Sequence, residues 1–371
     1  MNVIVAIDSF KGCLSSPEAN RAAAMGVRDV FPEAEIQEIA VSDGGEGFTE
    51  AMAAGLAEVR HAKRSYAAKR SKEYGTTERR TIIVHDPLMR PVEAHYLLAG
   101  ETAVMEVAEA CGLSLLQPEE RNPLIATSYG VGEMVIDAIR QGAKHIIVGL
   151  GGSGTSDAGR GMIEAIEGLK EFKGFETFKD VCFTIATDVD NPLCGENGAA
   201  HVYGPQKGAT PEMVVLLDSE ARSFADVTAK EMGFDLSEAP GAGAAGGLGY
   251  AFMQFLHATR RSGVDVLLEA LHFSELAAKA DLVITGEGAA DCQTLMGKLP
   301  TGVLRHSGST PVLLIAGRIS DRDELLQAGF AEVRCINPPG LALEEAMRPE
   351  VTVENIRKTV GGMVQELRVK S

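Results

Sequence analysis

The stretch NVIVAIDSF, residues 2–10, is an apolar run that ends in an acidic and a hydroxyl side chain, and this pattern recurs along the chain. Its valines and isoleucines predict a buried strand over 2–7. Similar runs lie at 36–41, 144–149, 182–186, 282–285 and 312–316, with a weaker one at 333–336 and a hairpin-like pair at 81–85 and 92–98. Near-continuous apolar strands indicate parallel sheets covered on both faces.

Segments of helical periodicity separate these strands, so the predicted fold class is α/β. Ser15, Ser16 and Pro17 form one helix start, and Asp321 begins a shorter helix that ends near Gly329. The strands near the two termini predict one discontinuous Rossmann-like or flavodoxin-like domain with a parallel sheet, into which a second α/β domain is inserted. We expect residues 1–78 and 281–371 to form the first domain and 79–280 the second, with the active site in the cleft between them.

Composition excludes several function classes. The chain has 371 residues, of which 45% are apolar and 23% charged, as expected for two globular domains. A formal net charge of −17 argues against nucleic acid or an anionic membrane surface as a partner. Six cysteines without a C-x-x-C pair, and an N-terminus without a basic region, indicate a cytoplasmic protein with no disulfide framework.

Polar residues and glycines follow most of the predicted strands, which is where α/β enzymes place their chemistry. They are Asp8, Ser9 and Lys11; Asp43, Gly44 and Gly45; Asp188, Asp190 and Asn191; and Gly286, Glu287, Asp291, Gln293 and Thr294. This repeated arrangement is a stronger signal than any one of its motifs.

GLGGSGTSDAG, residues 149–159, fits the G-x-G-x-x-G dinucleotide fingerprint and follows a predicted strand. A second match at 241–246 follows no strand, and the first lacks a strand-terminal acid about 20 residues later for a ribose hydroxyl. An NAD-dependent dehydrogenase of a small hydroxy acid is therefore an alternative with weak support. Asp157 would cap the following helix well but would repel a bare phosphate.

Other residues are candidates for binding phosphate, although the chain contains no G-x-x-x-x-G-K-[ST] motif. Lys11, Lys207 and Lys298 each lie beside glycine and could neutralise a phosphoryl group, or be ordinary surface residues. Asp188 and Asp190 alternate on an extended stretch, so both could hold Mg²⁺ or one could act as general base. Their alternative role is an Asx turn before Asn191-Pro192.

Eight motifs in order resemble the bacterial type-1 glycerate kinase family: DSFKG, SDGGEG, ERNPL, GLGGSGTSDAG, ATDVDNPLCG, YGPQKGA, PGAGAAGGLG and GEGAADCQT. The resemblance implies ATP-dependent phosphorylation of D-glycerate, with Mg²⁺, in the cytoplasm. It also implies two α/β domains, one of them Rossmann-like and discontinuous, with the site in a cleft. Which glycerate hydroxyl accepts the phosphoryl group does not follow from these motifs.

Two loops depart from the family pattern. The G-E-G loop usually continues with arginine, where this chain has Ala289, so a cation expected near phosphate is missing. The glycine loop usually reads T-N-D-G-G, whereas Ser156 and Ala158 stand at two of those positions here. Both departures indicate a subfamily with shifted substrate contacts.

The resemblance and the chemistry of the residue types together give a predicted site. We expect Lys11 or Lys207 on phosphate oxygens, and Asp188 or Asp190 as base or Mg²⁺ ligand. The predicted substrate- and nucleotide-binding residues are Asp8, Ser9, Asp43, Gly44, Gly45, Gly151, Gly152, Ser153, Thr155, Asp157, Asn191, Gly286, Glu287, Asp291, Gln293 and Thr294. Within the glycine loop, Thr155, Ser156 and Asp157 are expected to face the ligand. We expect that ligand to be glycerate rather than the nucleotide. A non-catalytic two-lobed binding protein is a further alternative, and a homodimer is compatible with the sequence.

Overall fold

A computed structural model describes residues 1–10, 12–42, 45, 47–58, 77–168 and 178–370. The described strands are β1 (Asn2–Ile7), β2 (Glu35–Glu38), β3 (Thr77–His85), β4 (Pro91–Ala99), β5 (Thr102–Glu106), β6 (His145–Gly149), β7 (Cys182–Ala186), β8 (Thr259–Arg261), β9 (Leu282–Ala290), β10 (Val312–Ile319) and β11 (Glu332–Cys335). The described α-helices are α1 (Ser16–Val30), α2 (Phe48–Glu58), α3 (Ala108–Cys111), α4 (Tyr129–Arg140), α5 (Arg160–Glu167), α6 (Ala199–Tyr203), α7 (Pro211–Met232), α8 (Leu248–Leu256), α9 (Gly263–Ala270), α10 (Phe273–Ala277), α11 (Leu299–His306), α12 (Arg322–Gln327), α13 (Leu343–Ala346) and α14 (Pro349–Lys370).

The chain divides into two compact units, and the first is discontinuous. Unit 1 comprises Met1–Asp43 and Val264–Ser371, and unit 2 comprises Gly44–Gly263. The chain thus crosses between units at 43/44 and 263/264, whereas the sequence placed these crossings at 78/79 and 280/281. Two packing contacts account for the difference. Helix α2 packs on β4 and β5 of unit 2, and α9 packs on α11 of unit 1, where a Cβ at Gly302 would lie 2.3 Å from Val264.

Unit 1 contains a five-stranded sheet in the order β11-β10-β9-β1-β2, with every neighbouring pair parallel. Numbered within the unit, this is the 2-1-3-4-5 order of flavodoxin-like folds, so the predicted fold class is confirmed. The strand order reverses between β1 and β9, where Ile7 pairs with Gly286. Ligands of such sheets bind outside the carboxyl ends of the strands at this switch point.

Unit 2 contains a six-stranded mixed sheet in the order β3-β4-β5-β6-β7-β8. The β3–β4 and β4–β5 pairs are antiparallel, while β5 to β8 run parallel. The antiparallel pair β3–β4 is the predicted hairpin-like pair. The carboxyl ends of β5, β6 and β7 bring Glu106, residues 150–159 and residues 187–193 to one edge of this sheet.

The core of each unit explains why these runs form strands. Val5, Ile7 and Ile315 are fully buried in unit 1, and Ile146 and Ile185 in unit 2. Their β-branched side chains pack on both faces of a parallel sheet. Among the helices described, none has an apolar stretch of the length that a membrane span requires.

Candidate active site

The glycine loop after β6 is held by backbone hydrogen bonds within unit 2. The Gly154 N–H donates to the Cys111 carbonyl at 2.7 Å, and the Leu113 N–H donates to the Gly152 carbonyl at 2.8 Å. A Cβ at Gly154 would lie 3.1 Å from Leu113 Cα. The last fingerprint glycine therefore serves close packing, and its N–H is not available for a pyrophosphate. Of the predicted ligand-binding residues in the loop, Gly151 and Gly152 are accessible, while Ser153 and Thr155 are buried.

The second glycine-rich stretch, 240–249, packs on the other loops of unit 2. A Cβ at Gly246 would lie 2.0 Å from the Thr155 carbonyl oxygen, and one at Gly243 would lie 2.3 Å from that of Pro192. The Gly243 N–H donates to the Asn191 carbonyl at 2.9 Å. These glycines let three backbones approach one another, which explains a G-x-G-x-x-G spacing that follows no strand.

Lys207 lies beneath the glycine loop, with only 2% of its surface exposed. Its Nζ donates to Ser153 Oγ at 2.9 Å and to the Thr155 carbonyl at 2.7 Å. Burial lowers the pKa of this ammonium group to about 8, and the nearby Cys111 and Asp157 oppose that shift. The structure thus places Lys207 in contact with the loop rather than on an accessible surface where it would meet phosphate.

Asp157 ties the end of the glycine loop to α5 and to the start of α4. Its Oδ2 accepts from the Ser128 N–H and hydroxyl, both at 2.8 Å, and from the Gly161 N–H at 3.1 Å. Its Oδ1 accepts from the Gly159 N–H at 2.9 Å. Ser156 and Thr155 before it are buried. A carboxylate with four protein donors holds a helix N-terminus, which differs from the predicted ligand contact.

Asp157→Asn is expected to lower the free energy of unfolding by about 1–3 kcal/mol, because an amide nitrogen replaces one acceptor and leaves a buried donor without its partner. Urea titration followed by circular dichroism measures the change. Asp226→Asn, at an exposed position of α7, is the matched control and should alter stability by less than about 0.5 kcal/mol. A variant as stable as the control would show that the four hydrogen bonds to Asp157 do not contribute to the free energy of unfolding.

The loop after β7 contains the predicted acid pair. Asp188 is half-buried, and Asp190 is exposed with its Oδ1 2.6 Å from an Arg260 guanidinium nitrogen. Asn191 is used within the loop: its Nδ2 donates to the Asn197 carbonyl at 2.8 Å, and its Oδ1 accepts from the Tyr203 hydroxyl at 2.7 Å. Of the three predicted residues, Asp188 is the one whose carboxylate combines partial burial with a position at the strand end.

Glu106 is a candidate that the sequence analysis did not identify. It ends β5, beside Gly149 in the register of β5 and β6, and is 6% exposed. Its Oε1 accepts from the Thr49 N–H in the first turn of α2 at 2.7 Å. Burial raises its pKa above the usual range, and the Thr49 bonds oppose this. The sequence signal that could have identified Glu106 is an acidic residue directly after the apolar run TAVM. Its neighbours in sequence favour helices, so the run was not recognised as a strand.

At the switch point of unit 1, Asp8 and Ser9 directly follow β1. The Asp8 N–H donates to the Gly286 carbonyl at 2.9 Å, which extends the parallel ladder, and Asp8 Oδ1 accepts from the Ser9 N–H at 2.7 Å. Gly286 itself is buried, and a Cβ there would lie 2.5 Å from the Ile315 carbonyl oxygen. Asp8 and Ser9 remain partly exposed, whereas Gly286 serves strand packing.

The G-E-G motif, which the sequence placed in a loop after residue 285, lies within β9 and contains a second buried acid. Glu287 is 8% exposed, its Oε1 accepts from Thr294 Oγ1 at 2.6 Å, and Lys298 Nζ lies 3.7 Å from its Oε2. Burial raises its pKa, while Thr294 and Lys298 lower it. Asp291 caps the next turn by accepting from the Gln293 N–H at 2.9 Å. Thr294 is fully buried, and Gln293 is exposed.

Three predicted residues, Lys11, Asp43 and Gly44, lie outside the described residues. Gly45 is described and partly exposed, and its carbonyl accepts from the Phe48 N–H at 3.2 Å, at the start of α2. Gly45 is thereby bonded to the first residue of α2.

Comparison with known proteins identifies the family. The model of the "Glycerate kinase family" matches residues 3–174 and 169–367. The chain belongs to the glycerate kinase family. A "Glycerate kinase" from Bacillus subtilis (strain 168) is 38% identical and is aligned over 100% of this chain and 98% of its own length. A "Glycerate 2-kinase" from Escherichia coli (strain K12) is 38% identical over 86% of each chain.

The family assignment extends to the fold. A crystal structure assigned as glycerate kinase 2 from Salmonella typhimurium LT2 matches with a TM-score of 0.77 and 34% identity, covering 100% of this chain and 99% of the other. This match confirms the predicted family. Together with the packing roles of both glycine fingerprints, it removes the basis for a dinucleotide-dependent dehydrogenase.

The acids of this family member do not form a preassembled metal centre in the part of the chain that the structure describes, since no three His, Cys, Asp or Glu side chains converge there. Mg²⁺ does not require three protein ligands, because it is usually held by one or two carboxylates together with substrate phosphates and water. The half-buried Asp188 carboxylate, with Asp190 two residues on, fits that requirement.

Proposed function

We propose that this protein is an ATP-dependent kinase that transfers the γ-phosphoryl group of ATP to a hydroxyl of D-glycerate, giving phosphoglycerate and ADP. The observation that carries the proposal is the family match along nearly the entire chain, to curated relatives named for this activity. The acids at the carboxyl ends of parallel strands in each unit support it, because those edges are where α/β enzymes bind ligands.

We assign Asp188 as the general base. It accepts the proton of the glycerate hydroxyl, whose oxygen bonds to the γ-phosphorus while the bond to the β,γ-bridging oxygen breaks and ADP leaves. Asp190 is the weaker candidate for this role, because its carboxylate is exposed and bonded to Arg260 at 2.6 Å. Phosphoryl transfer depends mainly on positioning and charge neutralisation, so the surrounding loops contribute by holding Asp188 and the substrates in place.

ATP is expected to bind together with Mg²⁺. The ion, when bound, neutralises charge on the β- and γ-phosphates. Asp190 is the carboxylate that we propose as its protein ligand, since Asp188 is assigned as the base and Mg²⁺ can be held by one carboxylate together with phosphates and water. Lys11, Asp43 and Gly44 stay predicted contacts of the substrates, as do Asp8 and Ser9.

The remaining assignments are also proposals. Lys207, Asp157 and Asn191 are positioning residues, since their polar atoms bond to the loops of unit 2. Glu106 is added because it lies at the same sheet edge and fixes the start of α2. That both units contribute residues to one active site, and that the protein is cytoplasmic and forms a homodimer, stay predictions.

We further propose the 2-hydroxyl of glycerate as the acceptor, because the Escherichia coli relative is named "Glycerate 2-kinase". The phosphorus NMR spectrum of the product separates 2-phosphoglycerate from 3-phosphoglycerate. A product that is only 3-phosphoglycerate would overturn the position of transfer and leave the kinase assignment intact.

A coupled assay of ADP release tests the function itself. We expect ADP release that saturates with D-glycerate and requires both ATP and Mg²⁺. If correctly folded protein releases no ADP in response to D-glycerate, the proposal is wrong. Titration with NADH should give no saturable fluorescence change, and a saturable change would revive the dehydrogenase alternative.

A further inference from the structure

One face of the unit 1 sheet carries an arginine, Arg318, that has no ion-pair partner among the described residues. In the parallel register of β9 and β10, Glu287 pairs with Ala316 and Ala289 pairs with Arg318. Register partners of neighbouring strands lie side by side, about 4.8 Å apart, and alternate residues share a face. Glu287, Ala289 and Arg318 therefore lie on the same face, at the carboxyl end of the sheet.

The acidic residue on this face already has partners. Glu287 accepts from Thr294 at 2.6 Å and has Lys298 at 3.7 Å. Arg318 is exposed and forms no ion pair with any residue of the described ranges. Other arginines of unit 1 do so at 2.6–2.9 Å; the pairs are Arg305–Asp265, Arg322–Glu332, Arg334–Glu366 and Arg357–Asp29. Within the described part of the chain, the guanidinium of Arg318 thus has no acidic partner.

The position of Arg318 in the sheet suits a ligand contact. It lies on the strand next to β9, one of the two strands at the switch point, and at the edge where doubly wound sheets bind ligands. Its register partner Ala289 is small and partly exposed, so β9 places no long side chain beside Arg318. Arginine binds phosphate and carboxylate groups through two parallel hydrogen bonds.

We propose that Arg318 binds an anionic oxygen group of a substrate, either a phosphate of ATP or the carboxylate of glycerate. The inference rests on the proposed kinase function and deepens it, because it supplies on β10 a cation that Ala289 does not provide on β9. Arg318 is then a residue of the binding site whose contribution comes from the neighbouring strand.

Kinetics of Arg318→Ala test the proposal. We expect kcat/KM to fall about 10- to 100-fold, as for the loss of a hydrogen bond to a charged group. A rise in KM for ATP alone identifies phosphate as the partner, and a rise for D-glycerate alone identifies the carboxylate. Arg318→Lys should recover only part of the loss, because an ammonium group cannot bind two oxygens in the same planar geometry.

The register also gives a rescue experiment. Arg318→Ala combined with Ala289→Arg returns a guanidinium to the same face one strand away and should recover at least part of the lost kcat/KM. Arg21→Ala, at an exposed position of α1, is the matched control and should behave as wild type. Wild-type kinetics for Arg318→Ala with both substrates would overturn the inference.

Calorimetry separates this inference from the proposed function. Titrations of wild type and Arg318→Ala with ATP and with D-glycerate measure affinity without turnover. If wild type binds either substrate and the variant binds it at least tenfold more weakly, the inference stands even where no ADP is released. Equal affinities of the two proteins for both substrates, or no binding of either by wild type, would contradict it.

Discussion

Asp188→Asn is expected to lower kcat by about 10²- to 10⁴-fold, the range typical for loss of a general base. The amide is nearly isosteric with the carboxylate but cannot accept the hydroxyl proton. The backbone on either side of Asp188 is held by bonds that do not involve its carboxylate, since the Thr187 N–H donates to the Arg261 carbonyl at 3.0 Å and the Val189 N–H donates to Thr187 Oγ1 at 3.2 Å. Folding should therefore be retained, as circular dichroism would show.

ATP affinity distinguishes loss of the base from loss of the site. Calorimetry with ATP in the absence of Mg²⁺ should give similar dissociation constants for wild type and Asp188→Asn. A variant that no longer binds ATP would assign Asp188 to the nucleotide site instead. Near-normal turnover would move the base elsewhere, with Asp43 the next candidate.

Asp190→Asn is the matched control two residues away on the same loop. Its carboxylate is 79% exposed and paired with Arg260, and an exposed ion pair contributes little, about 0–1 kcal/mol. We expect kcat at saturating Mg²⁺ to fall by less than tenfold, and the Mg²⁺ concentration required for half-maximal activity to rise. The sequence alone treated the two acids as equivalent, and only their burial and the Arg260 contact separate them. Equal losses in both variants would contradict the assignment of Asp188 as sole base.

The fold was predictable where apolar residues recur in short runs. Runs such as 2–7 and 182–186 became strands at the same bounds, because β-branched residues fit a two-sided parallel sheet. Strand β5 was missed because TAVME consists largely of residues that favour helices, and its strand conformation comes from burial between β4 and β6. Strand β8, Thr259–Arg261, is too short and polar to be recognised.

The candidate site was predictable in place but not in the direction of its side chains. Asp8 and Asp188 do follow the carboxyl ends of β1 and β7, as the strand-end pattern indicated, whereas Glu287 lies within β9, which continues to Ala290. A lysine beside glycine, however, looks the same in sequence whether it is exposed or buried. The inward direction of Lys207 depends on Ser153, 54 residues earlier, and periodicity contains no information about such a contact.

Lys207→Met is expected to reduce kcat/KM at least 100-fold with little loss of stability. Without the ammonium group, Ser153 and the Thr155 carbonyl lose their shared donor, and the loop between them loses its fixed position. A misplacement of about 1 Å at an active site can cost about 10²-fold in rate. Lys230→Met, at an exposed position of α7, is the matched control and should keep wild-type kinetics.

Stability should respond differently, because two effects of the substitution oppose each other. Losing the donor leaves two buried acceptors without a partner, at about 1–3 kcal/mol each. Removing a buried charge in favour of an apolar side chain of similar volume is often neutral or stabilising, by about 1–4 kcal/mol. Urea titration should therefore show a change of less than about 3 kcal/mol in the free energy of unfolding. A variant that fails to fold would show that the ammonium group is required for the fold.

The pH profile provides the decisive readout for Lys207. Its pKa of about 8 in the folded state lies below the ordinary value of 10.5. As pH rises through 8, Nζ loses its proton, its charge-assisted bonds weaken and wild-type kcat/KM should fall. Between pH 8 and 10.5 the unfolded chain binds more protons at this group than the folded one. Its contribution to the free energy of unfolding therefore rises across that window and is lowest below pH 8.

Above pH 8, titration of Lys207 is thus expected to lower kcat/KM while its contribution to the free energy of unfolding rises. Unfolding caused by deprotonation of this lysine therefore cannot explain the fall in kcat/KM. Lys207→Met should lack the descending limb near pH 8 while retaining its low kcat/KM across the range. A fall in kcat/KM at the same pH in the variant would assign the titration to another group. Rapid transfer of wild type from pH 9 back to pH 7 should restore full activity, because deprotonation of one buried amine leaves the fold intact.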